Sequence, residues 1–293
     1  MKWLKRALIV FAVLLLAYVS LSAYGAYRCA TVPRLPLTAS SEVFGQRCSD
    51  VSFTSREDNV SLEGWFIQGA GRGVIVIVHG GFQNRVDENV DTLALARGLN
   101  DKGFSLLLFD LRGRGESEGR GRTLCNINRD YGGAVDYLKS RGYEAGEIAF
   151  LGFCSGAAST AIFASEEELG GVVLDGCFAT VMGMFRYQAE ENGVPGPVAG
   201  LFTRGVFTWL RIFYRYQPVD PVERIGDARC PVMMVYEESD KSIPYRDQEE
   251  LIEAGHPVDF WMIPGAEHSQ GYRAVPDEYI ERVGDFFRAA LAL

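Results

Sequence analysis

The chain has 293 residues, 47% hydrophobic and 23% charged, enough apolar material for one globular domain of the size α/β enzymes reach. Its 29 basic and 38 acidic side chains leave a net charge of −9, which excludes the broad basic face that nucleic-acid binding requires. The cysteines (Cys29, Cys48, Cys125, Cys154, Cys177, Cys230) form no Cys-x-x-Cys pair and have no histidine cluster nearby, so neither a zinc site nor a disulfide scaffold is expected. Cys29 and Cys48 remain available for one bridge in an oxidising compartment.

Lys2, Lys5 and Arg6 precede an uncharged run of 21 residues, Ala7 to Tyr27. As a helix this run is roughly 31 Å long, close to the ~30 Å hydrocarbon core of a bilayer. Positive charge ahead of it favours a cytoplasmic N-terminus and an exported remainder. The run is longer than the ~7–15 residues of a signal-peptide core, so residues 1–27 read as a retained single-pass membrane anchor. Cleavage near Ser20–Ser22 or Ala23–Gly25 is the alternative, and a run without a polar face does not suit a core helix. Residues 28–42, with Pro33 and Pro36, read as a tether.

From Val43 to the end the pattern is that of a single domain. Two alternating segments, Val51–Thr54 and Leu62–Ile67, flank a polar turn and predict an antiparallel hairpin. Then come continuous apolar runs, the mark of strands buried on both faces: Val74–Val78, Ser105–Phe109, Ile148–Leu151, Gly171–Leu174, Val232–Tyr236 and Val258–Ile263. Helical patterns separate most of them, near Val90–Leu99, Tyr131–Ser140, Gly156–Glu168, Arg246–Glu253 and Glu278–Ala290. Such alternation predicts an α/β fold: a mostly parallel sheet with helices on both faces and a site beyond the carboxyl ends of the strands. The alternation stops at 179–217, which reads as a helical cap or lid insertion. Within it, Ala199–Tyr216 is aromatic-rich, with Arg204, Arg211 and Arg215 along one helical stripe. That stripe fits a lid over an apolar pocket, a helix lying on the membrane, or an ordinary surface helix.

The chemistry centres on Gly152-Phe153-Cys154-Ser155-Gly156. A strand breaking sharply into a helix strains its apex residue and needs small residues two before and two after it. With Cys154 at the apex those positions are Gly152 and Gly156; with Ser155 they would be Phe153 and Ala157, and Phe153 would clash. The candidate nucleophile is therefore a thiol, which a helix N-terminus and a base can hold as thiolate. Of three histidines, His79 directly follows a strand, His256 lies at the wrong edge of the sheet, and His268 lies beyond the last strand's carboxyl end. Geometry selects His268. For the orienting acid Asp240 is favoured over Asp175, since both follow strands, and Asp110 precedes the nucleophile in sequence.

These motifs resemble the α/β-hydrolase superfamily over Val43–Leu293: His79-Gly80-Gly81-Phe82, Asp110-Leu111-Arg112-Gly113-Arg114-Gly115-Glu116-Ser117, the Cys154 elbow, and Asp240 with His268, in that order. The resemblance implies an oxyanion hole built from the backbone N–H of Gly81 or Phe82 and that of Ser155. It gives His79 and the Asp110 turn structural roles and implies no cofactor or metal. Cysteine in place of serine resembles dienelactone hydrolases, polyhydroxyalkanoate synthases and some acyl-CoA amino-acid acyltransferases. The anchor and the arginine-striped insertion lie outside the compact dienelactone hydrolase pattern, so that substrate is not carried over. The resulting expectation is a membrane-anchored esterase, lactonase or thioesterase acting on a small-molecule acyl substrate through Cys154, Asp240 and His268. The alternatives are an acyltransferase with the same residues and a non-catalytic protein of the same fold.

Overall fold

The computed structural model describes residues 2–120 and 127–292; Cys125 lies outside the described residues. The N-terminal run forms one continuous helix, α1 (Lys2–Ala30), and β1 (Cys48–Thr54) and β2 (Ser61–Ile67) follow as an antiparallel hairpin with Val51 opposite Gly64. Then come β3 (Val74–Val78), α2 (Thr92–Asp101), β4 (Ser105–Phe109), α3 (Ile127–Ser140), β5 (Ile148–Phe153), α4 (Ser155–Glu166) and β6 (Gly171–Asp175). Two helices interrupt the alternation, α5 (Val181–Glu191) and α6 (Gly196–Tyr214). It resumes with β7 (Val232–Glu237), α7 (Tyr245–Gly255), β8 (Asp259–Ile263), the short α8 (Gly271–Ala274) and α9 (Pro276–Ala290).

The described strands form one sheet in the order β1-β2-β4-β3-β5-β6-β7-β8. The pairings from β4 through β8 are parallel, and β1 and β2 add an antiparallel edge. Alternation with period two sends Val74, Val76 and Val78 into the core beneath α3 and α4, and Ile75 and Ile77 into the core beneath α2 and α9. β3 is therefore apolar throughout, and burying each such side chain stabilises by about 1.5–3 kcal/mol. The fold places the ends of β5, β6, β7 and β8 side by side at one edge, where the candidate residues converge.

Two N-terminal expectations change. The helix runs on to Ala30, and the segment expected to be a tether is bound down: Arg34 Nη1 donates to Gly115 O (3.0 Å), and Asn84 Nδ2 to Leu35 O (3.3 Å) and Pro36 O (3.1 Å). Nor is α1 free along its length. Ser22, Ala26 and Ala30 are buried while Leu8 to Leu16 stand exposed, and Trp209 Nε1 of α6 donates to Ser22 Oγ at 3.0 Å. Cys48 is a free thiol, so no bridge to Cys29 forms.

Candidate active site

The reversal from β5 to α4 is made by one residue, Cys154, at φ 53° and ψ −117°, a conformation a side chain rarely adopts. A Cβ on Gly152 would lie 2.7 Å from Gly156 C and O, and one on Gly156 2.6 Å from His79 O, so strand, helix and the preceding loop touch backbone to backbone. Cys154 N–H is held by Asp175 O at 2.9 Å. Ser155 is already the first residue of α4, where a backbone N–H has no acceptor within the helix. It is not the apex.

His268 follows β8, and its Nδ1–H donates to Asp240 Oδ2 at 2.7 Å. The other oxygen of Asp240 accepts from the backbone N–H of Ser242 (2.6 Å) and Ile243 (3.0 Å). The carboxylate is 1% exposed yet has three donors. Cys154 acts electrostatically on the same imidazole. Burial works against a charged imidazole, but the negative charge on Cys154 and the bond to Asp240 outweigh it and raise His268 to about 11. Asn89 Nδ2, bonded to His268 O at 3.2 Å, ties the histidine loop to the segment after β3.

The other sequence candidates fall elsewhere. Asp175 is fully buried next to the elbow, but its Oδ2 accepts from Tyr279 OH (2.7 Å). His256 caps the far end of α7 with φ 43°. His79 is buried, which pushes it down to about 4; its Nδ1–H donates to Gly80 O (2.7 Å) and its Nε2 accepts from Leu111 N–H (3.2 Å), so it is a neutral brace for the loop. Asp110 ties that loop to the next, accepting from Arg85 N–H (2.8 Å), Arg85 Nη1 (2.6 Å) and Glu116 N–H (2.9 Å).

The Gly80–Gly81 turn passes directly beside the elbow, since a Cβ on Gly80 would lie 3.5 Å from Cys154 Cβ. Arg114 clamps it, donating from Nε (2.9 Å) and Nη2 (2.5 Å) to Gly81 O. In a trans peptide the N–H points opposite the C=O, so this clamp fixes the direction of the Phe82 N–H. Sequence reasoning does not single out Arg114; it sits in the Asp110–Ser117 turn, three residues before Ser117.

Glu237 also escapes a reading of the sequence. It ends β7, is 1% exposed, and faces Asp175; burial and then the Asp175 charge raise it well above the carboxylate range. Asp175 is raised by burial to about 6. The available signal is an acidic residue at the end of an otherwise apolar strand, Val232–Glu237. One ligand atom each from Glu237, Asp240 and His268 falls within 4.8 Å of the others, a spacing compatible with a cation. His268 Nδ1 and Asp240 Oδ2 are spent on each other, however, while both Glu237 oxygens are buried without a hydrogen-bond partner. A cavity of about 340 Å³ opens beside the elbow at Ser155 and runs along α4, lined by Ser159, Ile162, Phe178, Val181 and Tyr216.

A family model described as the alpha/beta hydrolase family matches residues 75–282. The chain belongs to that family. Among its relatives, the uncharacterised protein YfhR of Salmonella typhi is 25% identical over 291 aligned positions, covering 89% of this chain and 91% of YfhR. The uncharacterised Mycobacterium tuberculosis protein Rv2307c is 28% identical over 220 positions, covering 73% of this chain and 70% of that one. Among solved structures, the Pyrococcus furiosus esterase Pf2001 shares the fold with a TM-score of 0.72 at 21% identity, covering 89% of this chain and 97% of the esterase.

Proposed function

We propose that this α/β-hydrolase family member is a membrane-anchored hydrolase of a carboxylic ester, lactone or thioester, working through a Cys154 acyl-enzyme. The observation that carries the reading is the His268–Asp240 bond with a strained Cys154 at the head of α4, both acting on an imidazole raised to about 11. An imidazole held in this way is placed to take the proton of the thiol, which generates the nucleophilic thiolate.

In this mechanism the Cys154 thiolate attacks the substrate carbonyl carbon, and the oxyanion is held by the N–H groups of Phe82 and Ser155. As the tetrahedral adduct collapses, the leaving oxygen or sulfur takes the proton from His268 Nε2, leaving a thioester on Cys154. Water then gives a proton to Nε2 as its oxygen attacks the thioester. The carboxylic acid departs and the ion pair is restored. Asp240, pinned by two amides, keeps the Nδ1–H of His268 directed at itself throughout.

α1 serves as the retained anchor, with Lys2, Lys5 and Arg6 on the cytoplasmic side and the domain on the other. Cleavage near Ala23 would strip from α6 the helix that covers Gly205 and Trp209, which argues for retention. Protease accessibility of the domain in sealed vesicles tests its side. The chemistry is tested with iodoacetamide and a panel of acyl esters on the wild type and Cys154→Ala. Labelling and turnover should both vanish in the variant. Turnover that survives Cys154→Ala sinks the thiol mechanism, and a wild type that neither labels nor turns over any ester is not an enzyme of this class. Adding amine or alcohol acceptors separates hydrolysis from acyl transfer.

A further inference from the structure

α6 presents three different surfaces. Val206, Phe207 and Leu210 are buried. Next to them, α6 meets α1 at small residues: a Cβ on Gly205 would lie 2.6 Å from Tyr18 Oη and 2.8 Å from Ser22 Cβ, and one on Gly25 2.9 Å from Val206 Cγ2. Helices approach this closely through small residues when they associate within membranes. The face continues past that contact at both ends of α6, since about 3.6 residues per turn puts Gly205 and Trp209 on one stripe with Val198, Leu201, Ile212 and Phe213. The last four are 55, 56, 60 and 63% exposed. Arg204, Arg211 and Arg215 border that stripe, exposed in a row, although the chain carries a net −9.

The length of α1 gives the stripe its partner. Its uncharged run begins at Ala7, and the part before the α6 contact ends at Ala17, a span of 11 residues. That is roughly 16 Å of helix, about half of a ~30 Å hydrocarbon core. The rest of the crossing is made alongside α6, so α6 must go in with it. Tyr24 and Tyr27, 58 and 53% exposed, lie at that level of α1, where aromatic residues favour the membrane–water boundary.

We propose that α6 lies in the membrane interface side by side with α1, its Val198–Phe213 stripe among the acyl chains and Arg204, Arg211 and Arg215 on anionic phospholipid headgroups. The domain is thus seated on the bilayer instead of hanging from it. Interfacial amphipathic helices of this kind sink roughly 5–10 Å into the headgroup boundary. The inference rests on α1 being the retained anchor and is independent of the chemistry at Cys154.

The test uses the full chain in vesicles of mixed phosphatidylcholine and phosphatidylglycerol, with photoreactive p-benzoylphenylalanine placed in turn at Leu14, Ile212 and Val258. Leu14 reports on the anchor, Ile212 on α6, and Val258, exposed at the opposite edge of the sheet, is the control. Lipid adducts are expected at Leu14 and Ile212 and not at Val258. Adducts at Leu14 without any at Ile212 overturn the proposal and leave the anchor standing; none at either site overturns both. Protein adducts at Ile212 show that another chain covers the stripe, which also overturns it. The Arg204→Glu/Arg211→Glu/Arg215→Glu variant should lose the Ile212 lipid adduct by about fivefold or more, since each basic group contributes roughly fivefold to binding an anionic surface. The Leu14 adduct should persist; an unchanged Ile212 yield removes the headgroup role.

Discussion

Asp240 and Asp175 lie at the ends of neighbouring strands on one sheet edge, and both are buried. Asp240 meets two backbone amides and the imidazole of His268, three donors for one carboxylate. Asp175 meets one hydroxyl, that of Tyr279, and another carboxyl, Glu237. Donors surround the first. The second is raised by burial to about 6, and burial beside it raises Glu237 well above the carboxylate range, so this pair favours keeping a proton. Both are aspartates with buried carboxyls just past a strand's end or on it; the number of donors that meet them is what differs.

The largest way to break the comparison is to take the charge from the side that uses it. Asp240→Asn keeps the shape and the amide bonds to Oδ1 but turns an N–H toward His268 Nδ1, forcing the wrong tautomer. Acyl turnover should fall by on the order of 10⁴-fold, the loss seen when a triad acid is neutralised. It should also lower the alkaline limb. In the wild type His268 is raised above its ordinary 6.5 to about 11, so the stability its imidazolium contributes is fully present below 6.5 and is lost as pH rises through about 11. Without the Asp240 carboxyl the loss should set in at lower pH, read from the alkaline limb of acyl turnover. A profile unmoved by the substitution removes Asp240 from the mechanism.

A smaller effect comes from the residue between the two regions. Gly176, at φ 62°, follows Asp175, and a Cβ there would lie 3.1 Å from His268 Cε1 and 3.3 Å from Nδ1. Gly176→Ala strains the backbone and pushes the ring by a few tenths of an ångström. Small displacements of a catalytic group are costly, and turnover should drop by roughly tenfold. If the contact sits where the structure has it, kcat should move more than KM.

The sheet is legible in the sequence because strands buried on both faces must be apolar throughout, and Val74–Val78 leaves no other reading. The elbow is legible because Gly152 and Gly156 are demanded by backbone contact, and the sequence shows a missing side chain as plainly as a present one. In the structure His268 and Asp240 meet, as their places after strands lead one to expect, while Asp175 turns to Tyr279 of α9. Nothing local foretells that, since 104 residues separate the partners. Arg114 and Glu237 escape for a related reason: a charged side chain reads as solvent-facing unless its buried partner is known. Residues 28–42 escape because prolines mark irregular backbone equally well whether it floats or is bound to the domain.

The smallest predicted effect sharpens the comparison from the Asp175 side. Glu237→Gln replaces an acid that can give its proton up with an amide that always has one to give, so Asp175 faces a donor at every pH. For the wild type, the Asp175 carboxyl is raised from 3.8 to about 6; the stability it contributes is complete below 3.8 and is lost as pH rises through about 6. That loss should be on the order of 1–3 kcal/mol, since each tenfold gain in proton affinity corresponds to roughly 1.4 kcal/mol. In Glu237→Gln it should shrink, so denaturant unfolding in micelles between pH 4 and 7 should show a flatter curve for the variant than for the wild type. Turnover should stay near the wild-type level, because neither the His268–Asp240 bond nor the amides behind it are touched. If the variant instead loses activity in step with Asp240→Asn, the two aspartates work as one unit, and the donor-count distinction between them fails.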